Sequence, residues 1–265
     1  MCNCAVFTIV RDEPVFLALW HRHYSRHFPS SHMHVLHHVA SEDERADGQF
    51  GEALSLFDHI NVTRLVNADF DPQWLGEVVA TKARRLLGLC GAVLFSEADE
   101  LVLPLPSRCG GSLSAFVEEF CQDSTKSAVR TVGYEVHHAM PAEPAIDRAV
   151  PIMTQRHHWH RNPLYDKALL MRSVPTWSLG FHTCTEFVPQ DESLILVHLH
   201  KYDFQAFVAR HEERAAYKHA ESAVANGWNA HYRTRGAAIV AQYMASVCSP
   251  LECIPEWVVG ALADI

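Results

Sequence analysis

The sequence lacks any uninterrupted apolar run of about 18 residues, the length that a membrane-spanning helix requires. We therefore expect no membrane span. The amino-terminal residues lead straight into a strand-like run, without the basic segment and the long apolar stretch of a signal peptide. We accordingly expect a cytoplasmic protein.

Basic residues and paired cysteines are also scarce. Lys and Arg number 22 against 31 Asp and Glu, which gives a formal net charge of −9. The absence of a dense basic block argues against a nucleic-acid-binding surface. The eight cysteines contain no C-x-x-C pair, so we expect reduced thiols rather than a disulfide framework.

The overall composition is that of an ordinary globular protein, apart from an excess of histidine. Apolar residues make up 48% and charged residues 20% of the 265 positions, which is enough for a sizeable core in one large domain or two small ones. Histidine is the outlier at 19 residues, several of them in adjacent pairs. Imidazole binds metals and titrates near neutral pH.

The first third of the chain alternates between strands and helices. Runs of β-branched and apolar residues predict strands at residues 5–10, 32–39 and 60–66. Apolar residues at three- and four-residue spacing predict helices at residues 15–27 and 71–87. This order is typical of an α/β fold with a parallel sheet and right-handed crossovers.

Carboxylates follow the next apolar run. Residues 92–95 predict a strand buried on both faces, and the strand is followed by Glu97, Asp99 and Glu100. Because positions i and i+2 of an extended chain point the same way, Glu97 and Asp99 share a side. Two converging carboxylates repel each other unless a cation or a proton lies between them. Hard cations such as Mg²⁺ and Mn²⁺ prefer such oxygen ligands beside phosphates.

Charged residues follow two earlier strands as well. Arg11 and Glu13 come after the first strand, and Asp43 comes after the second. Ligands of open α/β sheets bind outside the carboxyl ends of the strands. We therefore expect these side chains to converge with Glu97 and Asp99 on one ligand.

The second half of the chain is less regular. Residues 113–122 predict a helix and residues 130–136 a strand. Residues 141–165 are rich in Pro, Arg, His and Trp and predict an irregular but ordered segment, since long loops in compact domains are usually functional or disordered. The tail from residue 204 is mostly helical, with one apolar helix at residues 237–247.

The order and spacing of these motifs resemble the glycosyltransferase family 2-like proteins of the GT-A superfamily, in the bacterial branch whose acidic signature is D-x-D-E. The resemblance covers residues 5 to 205, and its matching segments are 8–13 (TIVRDE), 20–24 (WHRHY), 41–43 (SED), 70–74 (FDPQW), 95–100 (FSEADE), 166–167 (DK), 180–182 (GFH) and 198–200 (HLH). Position 97 is Glu where the family usually has Asp.

The resemblance implies an α/β fold of the GT-A (nucleotide-diphospho-sugar transferase) type, with a central, mostly parallel sheet flanked by helices. Residues 1–203 would form a GT-A-like catalytic domain, and residues 204–265 a C-terminal helical extension packed on it. The implied activity is inverting, metal-assisted transfer of a sugar from a nucleotide-sugar donor to a carbohydrate or glycan acceptor, as in cell-surface polysaccharide assembly.

The resemblance also assigns roles to single residues. The nucleotide would lie along Thr8, Val10, Arg11 and Glu13, with Asp43 near the base or ribose and Lys167 near the diphosphate. A divalent cation, Mn²⁺ or Mg²⁺, would be held by Glu97, Asp99 and His182. The longer Glu97 side chain leaves direct metal contact to Asp99, with Glu97 acting through water.

The general base of an inverting reaction is a carboxylate on the acceptor side. Three candidates remain open: Glu135 at the end of its strand, and Glu143 and Asp147 in the irregular segment. The sequence does not show which of the three acts as the base.

Two other functions fit parts of the sequence. The first is a zinc-dependent hydrolase with ligands His198 and His200, which share a face of a strand, and a third ligand such as His182. No H-E-x-x-H motif supports it. The second is a catalytically degenerate GT-A domain that binds nucleotide or glycan, to which the Glu at position 97 points. The sequence fixes neither the donor, the acceptor nor the oligomeric state.

Overall fold

A computed structural model describes residues 3–42, 51, 59–247 and 249–265 of the chain. The described residues form a mixed sheet of ten strands flanked by helices, so the α/β fold class is confirmed. The strands are β1 Cys4–Val10, β2 Met33–Val39, β3 Asn61–Val66, β4 Ala92–Phe95, β5 Glu100–Pro104, β6 Ala128–His137, β7 His158–Arg161, β8 Ala168–Met171, β9 Gln190–Lys201 and β10 Glu252–Cys253. The helices are α1 Pro14–Tyr24, α2 Pro72–Leu87, α3 Leu113–Gln122, α4 Phe204–Ala216, α5 Glu221–Ala225, α6 Ala237–Ala245 and α7 Glu256–Ala261.

The amino-terminal part of the sheet is parallel, in the order β4-β1-β2-β3. β1 and β4 are buried along almost their whole length, which explains why their sequences are continuous apolar runs rather than alternating ones. β3 is an edge strand and is largely exposed. Since the four strands run the same way, their carboxyl ends meet at one edge of the sheet.

Antiparallel pairs complete the sheet on the other side of β4. The order continues through β8, β6, β7 and β10, while β9 pairs with β6 in parallel and with β5 in antiparallel orientation. Two of these strands differ from the sequence expectation. β5 begins at Glu100, the last of the acidic residues, and β7 lies inside the segment expected to be irregular.

Two helices begin as their sequences predict. The Asp71 carboxylate accepts hydrogen bonds from the backbone of Gln73 and Trp74 and thereby caps α2. α1 has Pro14 in its first turn, where the missing N–H costs nothing, and it buries Trp20 against the sheet core. These helices lie between consecutive parallel strands, as crossovers do.

The tail contacts the rest of the chain through α4, through the pairing of β10 with β7 and through α7, which packs Val258 into the main core. Asp203 caps this helix by accepting from the backbone of Ala206, and a small apolar cluster of Phe207, Ile239 and Tyr243 holds α6 against it. The division at residue 203 stays a prediction.

The described cysteines include one that is disulfide-bonded, Cys121. The expectation of reduced thiols is therefore wrong at this position, because spacing along the chain does not reveal which thiols the fold brings together. The free thiols are those of Cys4, Cys90, Cys109, Cys184 and Cys253. Among the described residues no helix combines the length and the apolar character needed to cross a membrane.

Candidate active site

The acidic residues lie in a four-residue turn, 96–99, that joins β4 to β5. Ser96 Oγ donates a 2.6 Å hydrogen bond to the Glu100 carbonyl, which closes the turn. Tyr24 of α1 fixes it from behind, because its hydroxyl donates to Ser96 Oγ at 3.0 Å and accepts from the Val102 N–H at 3.1 Å. The turn is thus held rigidly by buried groups.

On one side of this turn, Lys167 forms ion pairs with two acids. Its Nζ lies 2.5 Å from Glu97 Oε2 and 2.6 Å from Glu100 Oε1. Burial alone lowers the pKa of Lys167, but the two carboxylates outweigh burial and raise the pKa above its usual value. We call Glu97, Glu100 and Lys167 the Lys167 cluster.

On the other side, Asp99 meets two histidines and an arginine. Asp99 Oδ2 lies 3.5 Å from His198 Nε2, 3.5 Å from His200 Nδ1 and 2.6 Å from Arg210 Nη1. Burial raises the pKa of Asp99, but the charges of Arg210 and His198 hold it well below its usual range. We call Asp99, His198, His200 and Arg210 the Asp99 cluster.

The two histidines differ in charge. Burial lowers the pKa of His198, but Asp99 and Glu135 outweigh burial and raise it to about 9. Burial and the neighbouring Arg210 hold the pKa of His200 well below its usual value. Because a guanidinium can only donate, Nδ1 of His200 accepts from Arg210 Nη1 at 2.5 Å.

Glu135 lies behind His198 and is completely buried. It accepts from His198 Nδ1 at 3.0 Å and from Lys201 Nζ at 2.6 Å. Burial raises its pKa, but hydrogen bonds from His160 and His198 and the charge of Lys201 hold the pKa well below its usual range. Glu135 therefore fixes the ring of His198 so that Nε2 faces Asp99.

The donor atoms of Asp99, His198 and His200 can hold a metal ion. One carboxylate oxygen and two imidazole nitrogens lie within 4.8 Å of one another, the one such set found among the described residues. Imidazole nitrogens favour Mn²⁺, Zn²⁺ or Fe²⁺ over Mg²⁺. A buried carboxylate behind a ligating histidine, as Glu135 is, is typical of such sites. Binding through His198 Nε2 requires that nitrogen to release its proton.

A first cavity, of about 80 Å³, opens at the carboxyl ends of the four parallel strands. Each of these ends contributes to it, and α4 closes it from the other side. Its lining residues are Ile9, Val10, Arg11, Glu13, His38, Phe70, Leu75, Glu97, Ala98, Asp99, Arg210, Arg214, Tyr217 and Tyr232. The positions after β1 and after β4 therefore meet at one cavity, and the position after β2, Asp43, lies outside the described residues.

A second cavity, of about 380 Å³, shares a wall with the first. Both are lined by Glu97, Asp99, Arg214 and Tyr232. The second cavity is also lined by His182, His198, His200, Trp228 and Gln242 among others. Its size is that of an ordinary small-molecule site (~300–1,000 Å³).

Other residues singled out in the sequence lie elsewhere. Thr8 is completely buried within β1, and Lys167 is 1% exposed and is committed to the Lys167 cluster. Glu143 accepts from the backbone of Ala139 and His157, and the exposed Asp147 accepts from the backbone of Ala149. Glu135, Glu143 and Asp147 line neither cavity, so their locations give the base prediction no support.

His182 reaches the second cavity but is outside the three-residue metal set. Its Nδ1 donates to the Leu164 carbonyl at 2.8 Å. Tyr165, which follows that residue, packs against the ring of His198 with centroids 3.9 Å apart. This packing needs Gly133, since a Cβ there would lie 2.4 Å from Tyr165 Cβ.

The sequence analysis missed the arginines of α4. Arg210 donates to both oxygens of Glu13 at 2.8 and 2.6 Å, and Arg214 lies 2.5 Å from Glu13 Oε1. The signal was available in their spacing, because residues i and i+4 of a helix lie on one face. Nothing in the sequence indicated that this face covers Asp99, which lies 111 positions earlier in the chain.

Among the comparisons with known proteins, only the one with solved structures gives matches. No protein-family model matches it, and no curated protein is similar in sequence. Among solved structures it is similar to GalNAc-T7 with UDP, GalNAc and Mn²⁺ (TM-score 0.46, 9% identity, 93% of this chain and 56% of that chain). It is also similar to the mannosyltransferase PcManGT from Pyrobaculum calidifontis in complex with GDP-Man and Mn²⁺ (TM-score 0.40, 11% identity, 94% and 77%).

A third similar structure is a cytidylyltransferase from Leptospira borgpetersenii serovar Hardjo-bovis (TM-score 0.33, 12% identity, 49% and 54%). The chain thus spans about half the length of two of these three proteins. At these identities and TM-scores, the activity of the chain has to be argued from its own residues.

Proposed function

We propose that the chain is a glycosyltransferase that moves a sugar from a nucleotide-sugar donor to a carbohydrate acceptor. One observation carries this proposal. The carboxyl ends of four parallel strands form a cavity lined by cationic side chains and by Asp99, and Asp99 belongs with the imidazoles of His198 and His200, which line the adjoining second cavity, to a set that can hold a metal ion. A diphosphate requires that combination of cations and metal ligands, and this edge of an α/β sheet is where ligands bind.

Arg11 is the strongest phosphate-binding candidate in the first cavity. Its guanidinium lies 4.2 Å from the ring centre of Tyr217, and Nε approaches Asp12 only to 3.8 Å. Nε and Nη1 are buried and have no hydrogen-bond partner among the described residues. Buried N–H groups are costly to leave unpaired, and a phosphate oxygen would accept from them in a charge-assisted bond.

Other lining residues of the first cavity suit a nucleoside. They are aromatic and apolar side chains in β2, after β3, in α2 and directly after α4: His38, Phe70, Leu75 and Tyr217. Such side chains stack on or pack against a base. Because the first cavity is smaller than a whole nucleotide, we propose that the donor spans both cavities, with its diphosphate at their shared wall.

Asp99, His198 and His200 would hold the divalent cation at that wall. When bound there, a divalent cation neutralises the charge that develops on a departing diphosphate. Arg11 and Arg214 line the same cavity and would bind the phosphate oxygens directly. The choice between Mn²⁺ and Mg²⁺ is part of the proposal, and the two imidazoles favour Mn²⁺.

The second cavity is the proposed acceptor side. Trp228 offers an aromatic face, and Gln242 and His211 offer hydrogen-bonding groups, a combination that suits the apolar face and the hydroxyls of a sugar ring. Inversion at the anomeric carbon, membership of family 2 and a role in polysaccharide assembly rest on the resemblance in sequence and are proposed on that basis.

One observation favours a second function. A carboxylate and two histidines also form catalytic zinc sites, and the large second cavity opens on them. Asp99 would be the third ligand of such a hydrolase in place of His182. Replacing Asp99 therefore cannot distinguish the two functions, whereas nucleotide binding can.

The test is a calorimetric titration of the protein with UDP, GDP, CDP and ADP, with and without Mn²⁺. We expect one nucleoside diphosphate to bind and Mn²⁺ to strengthen its binding. Arg11→Gln should weaken binding about tenfold, the usual contribution of one charge-assisted hydrogen bond. The matched control is Arg85→Gln, which removes the same charge from an exposed position of α2.

The outcome also separates the two functions. Failure of every nucleotide to bind at millimolar concentration, together with tight stoichiometric zinc, would favour the hydrolase. Binding followed by transfer from the matching nucleotide sugar would establish the transferase, and binding without any transfer or hydrolysis would indicate a degenerate domain.

A further inference from the structure

The guanidinium of Arg210 contacts two of the three side chains that can hold a metal ion, Asp99 and His200. Arg210 Nη1 is 2.6 Å from Asp99 Oδ2 and 2.5 Å from His200 Nδ1. The same oxygen and nitrogen lie 3.5 Å apart, within the 4.8 Å span of the ligand atoms of the metal-binding set. The Nδ1 atom of His200 has one lone pair, which is not available to a metal while it accepts from the guanidinium N–H. Asp99 Oδ2 keeps a further lone pair, but the guanidinium charge beside it repels a second cation. Metal and guanidinium therefore compete for these two side chains.

The remainder of this guanidinium is anchored elsewhere. Nε and Nη2 donate to the two oxygens of Glu13 at 2.8 and 2.6 Å, and the carbon between the nitrogens lies 4.4 Å from the ring centre of Phe16. Because the guanidinium is planar and rigid, Arg210 can release Asp99 and His200 with both of these bonds intact when the Glu13 carboxylate moves with it as a bidentate pair. The freed Nη1 N–H groups would then lie beside the first cavity, which Arg210 lines.

We propose that Arg210 occupies the cation site until a divalent transition-metal ion binds to Asp99, His198 and His200, and that the displaced Nη1 then donates to the phosphate oxygens of the donor. The first half of this proposal concerns the metal site alone. The second half rests on the proposed transferase function.

The charges around the site explain why binding of a metal ion and binding of a diphosphate should favour each other. The carboxylates of Glu13 and Asp99 balance the guanidinium groups of Arg210 and Arg214. A divalent ion added to this balanced set leaves excess positive charge in a buried place, which is unfavourable unless an anion enters with it. Metal and diphosphate should therefore each raise the affinity for the other, by the same factor.

The test measures Mn²⁺ binding to the metal-free, nucleotide-free protein through the electron paramagnetic resonance signal of free Mn²⁺. We expect Arg210→Met to bind Mn²⁺ about tenfold or more tightly than the wild type, because no charge-assisted bonds have to be broken first. Arg214→Met is the matched control. It removes the same charge from the same cavity and also breaks a bond to Glu13, but leaves the Arg210 contacts in place, so its dissociation constant should change far less.

A measurement on the wild type avoids dependence on the folding of a variant. Arginine side-chain nuclear magnetic resonance signals, assigned to Arg210 with the Arg210→Lys variant, should change on saturation with diamagnetic Zn²⁺. Signals that stay unchanged while Zn²⁺ binds would overturn the proposal, and so would Arg210→Met and Arg214→Met having equal effects.

Nucleotide binding distinguishes this failure from that of the function. If neither the wild type nor Arg210→Met binds Mn²⁺, the exchange is refuted, although a nucleoside diphosphate that binds without metal would leave the transferase function standing. If Mn²⁺ binds as expected but no nucleotide does, the metal exchange stands and the transferase function fails.

Discussion

The Lys167 cluster and the Asp99 cluster, on the two sides of the turn between β4 and β5, both combine carboxylates with basic side chains but differ in role. In the Lys167 cluster a single ammonium group, 1% exposed, lies between two carboxylates. In the Asp99 cluster a carboxylate is also buried, and its neighbours include two imidazole nitrogens. Glu97 of the Lys167 cluster and Asp99 both line the two cavities. Burial, ion pairing and access to a cavity therefore do not distinguish a functional acid from a structural one, whereas the chemistry of the neighbouring donors does.

The difference predicts that one cluster serves stability and the other serves binding. In the Lys167 cluster one ammonium group is bound to both carboxylates, and the cluster has no imidazole that could hold a transition metal. The Asp99 cluster contains donors that suit a metal and a guanidinium that can be exchanged for it. The following variants test this difference by altering residues of one cluster or of its surroundings.

The largest effect is expected from Lys167→Met. It leaves Glu100, which is completely buried, without its cation, and an uncompensated buried charge costs about 3–5 kcal/mol. We expect the free energy of unfolding in urea to fall by that amount, without a change in the Mn²⁺ affinity of the folded fraction.

Two further variants act as controls for this prediction. Glu97→Gln should cost much less, because the Glu97 side chain is 36% exposed and exposed pairs contribute little. Lys167→Met combined with Glu100→Gln should recover part of the lost stability. If Lys167→Met unfolds at the wild-type urea concentration, the cluster is not structural.

The next largest effect is the loss of metal affinity in Asp99→Asn. Removing the only carboxylate of the three-residue set should weaken Mn²⁺ binding about 100-fold, or about 3 kcal/mol. Glu97→Gln should change the affinity by less than about threefold, because Glu97 is paired with Lys167 and lies outside the set. Equal losses in both variants would return Glu97 to the role of metal ligand that the sequence resemblance implies.

Much of this site could be anticipated from the sequence. The continuous apolar runs that became β1 and β4 follow from burial on both faces, and the charged residues after them converge because parallel strands share an edge. Arg11, Glu13 and Asp99 consequently line one cavity. These inferences needed only local patterns and the topology of a parallel sheet.

The contacts that decide the chemistry could not be anticipated, because they are long-range. Arg210 reaches Glu13 across 197 positions, and Glu135 reaches His198 across 63. No periodicity encodes which helix face closes a cavity or which carboxylate a buried histidine meets. For the same reason Glu135, placed at the end of its strand like a catalytic base, was expected on the acceptor side although its partners lie inside the protein.

Glu135→Gln gives a smaller effect that decides the role of this residue. If Glu135 only fixes the ring of His198, Mn²⁺ affinity should fall about tenfold, as is usual when the carboxylate behind a ligating histidine is lost. Turnover at saturating Mn²⁺ should then be largely restored. A general base would give the opposite pattern, with unchanged Mn²⁺ affinity and a loss of turnover that no metal concentration restores. Glu143→Gln, which alters a carboxylate remote from both cavities, is the control.

The smallest expected effect concerns the pH dependence of stability. The Asp99 cluster and the region behind β5 shift the pKa of a buried histidine in opposite directions. The Asp99 cluster raises the pKa of His198, whereas His23 lies among apolar groups behind β5, where its Nε2 donates to the Val102 carbonyl at 3.0 Å. Burial, with a minor contribution from His27, lowers the pKa of His23 to about 3.

Because the unfolded chain binds a proton near pH 6.5 and the folded chain does not, acidification through this range favours unfolding. His23 alone should therefore lower the free energy of unfolding by about 1 kcal/mol between pH 7 and pH 5.5. His23→Gln should be less stable at pH 7 but should lose less stability over that interval, as urea unfolding at a series of pH values would measure. His157→Gln, which removes an exposed imidazole, should keep the wild-type slope. An unchanged slope in His23→Gln would mean that His23 is protonated inside the fold, and that the region behind β5 is as polar as the Asp99 cluster in front of it.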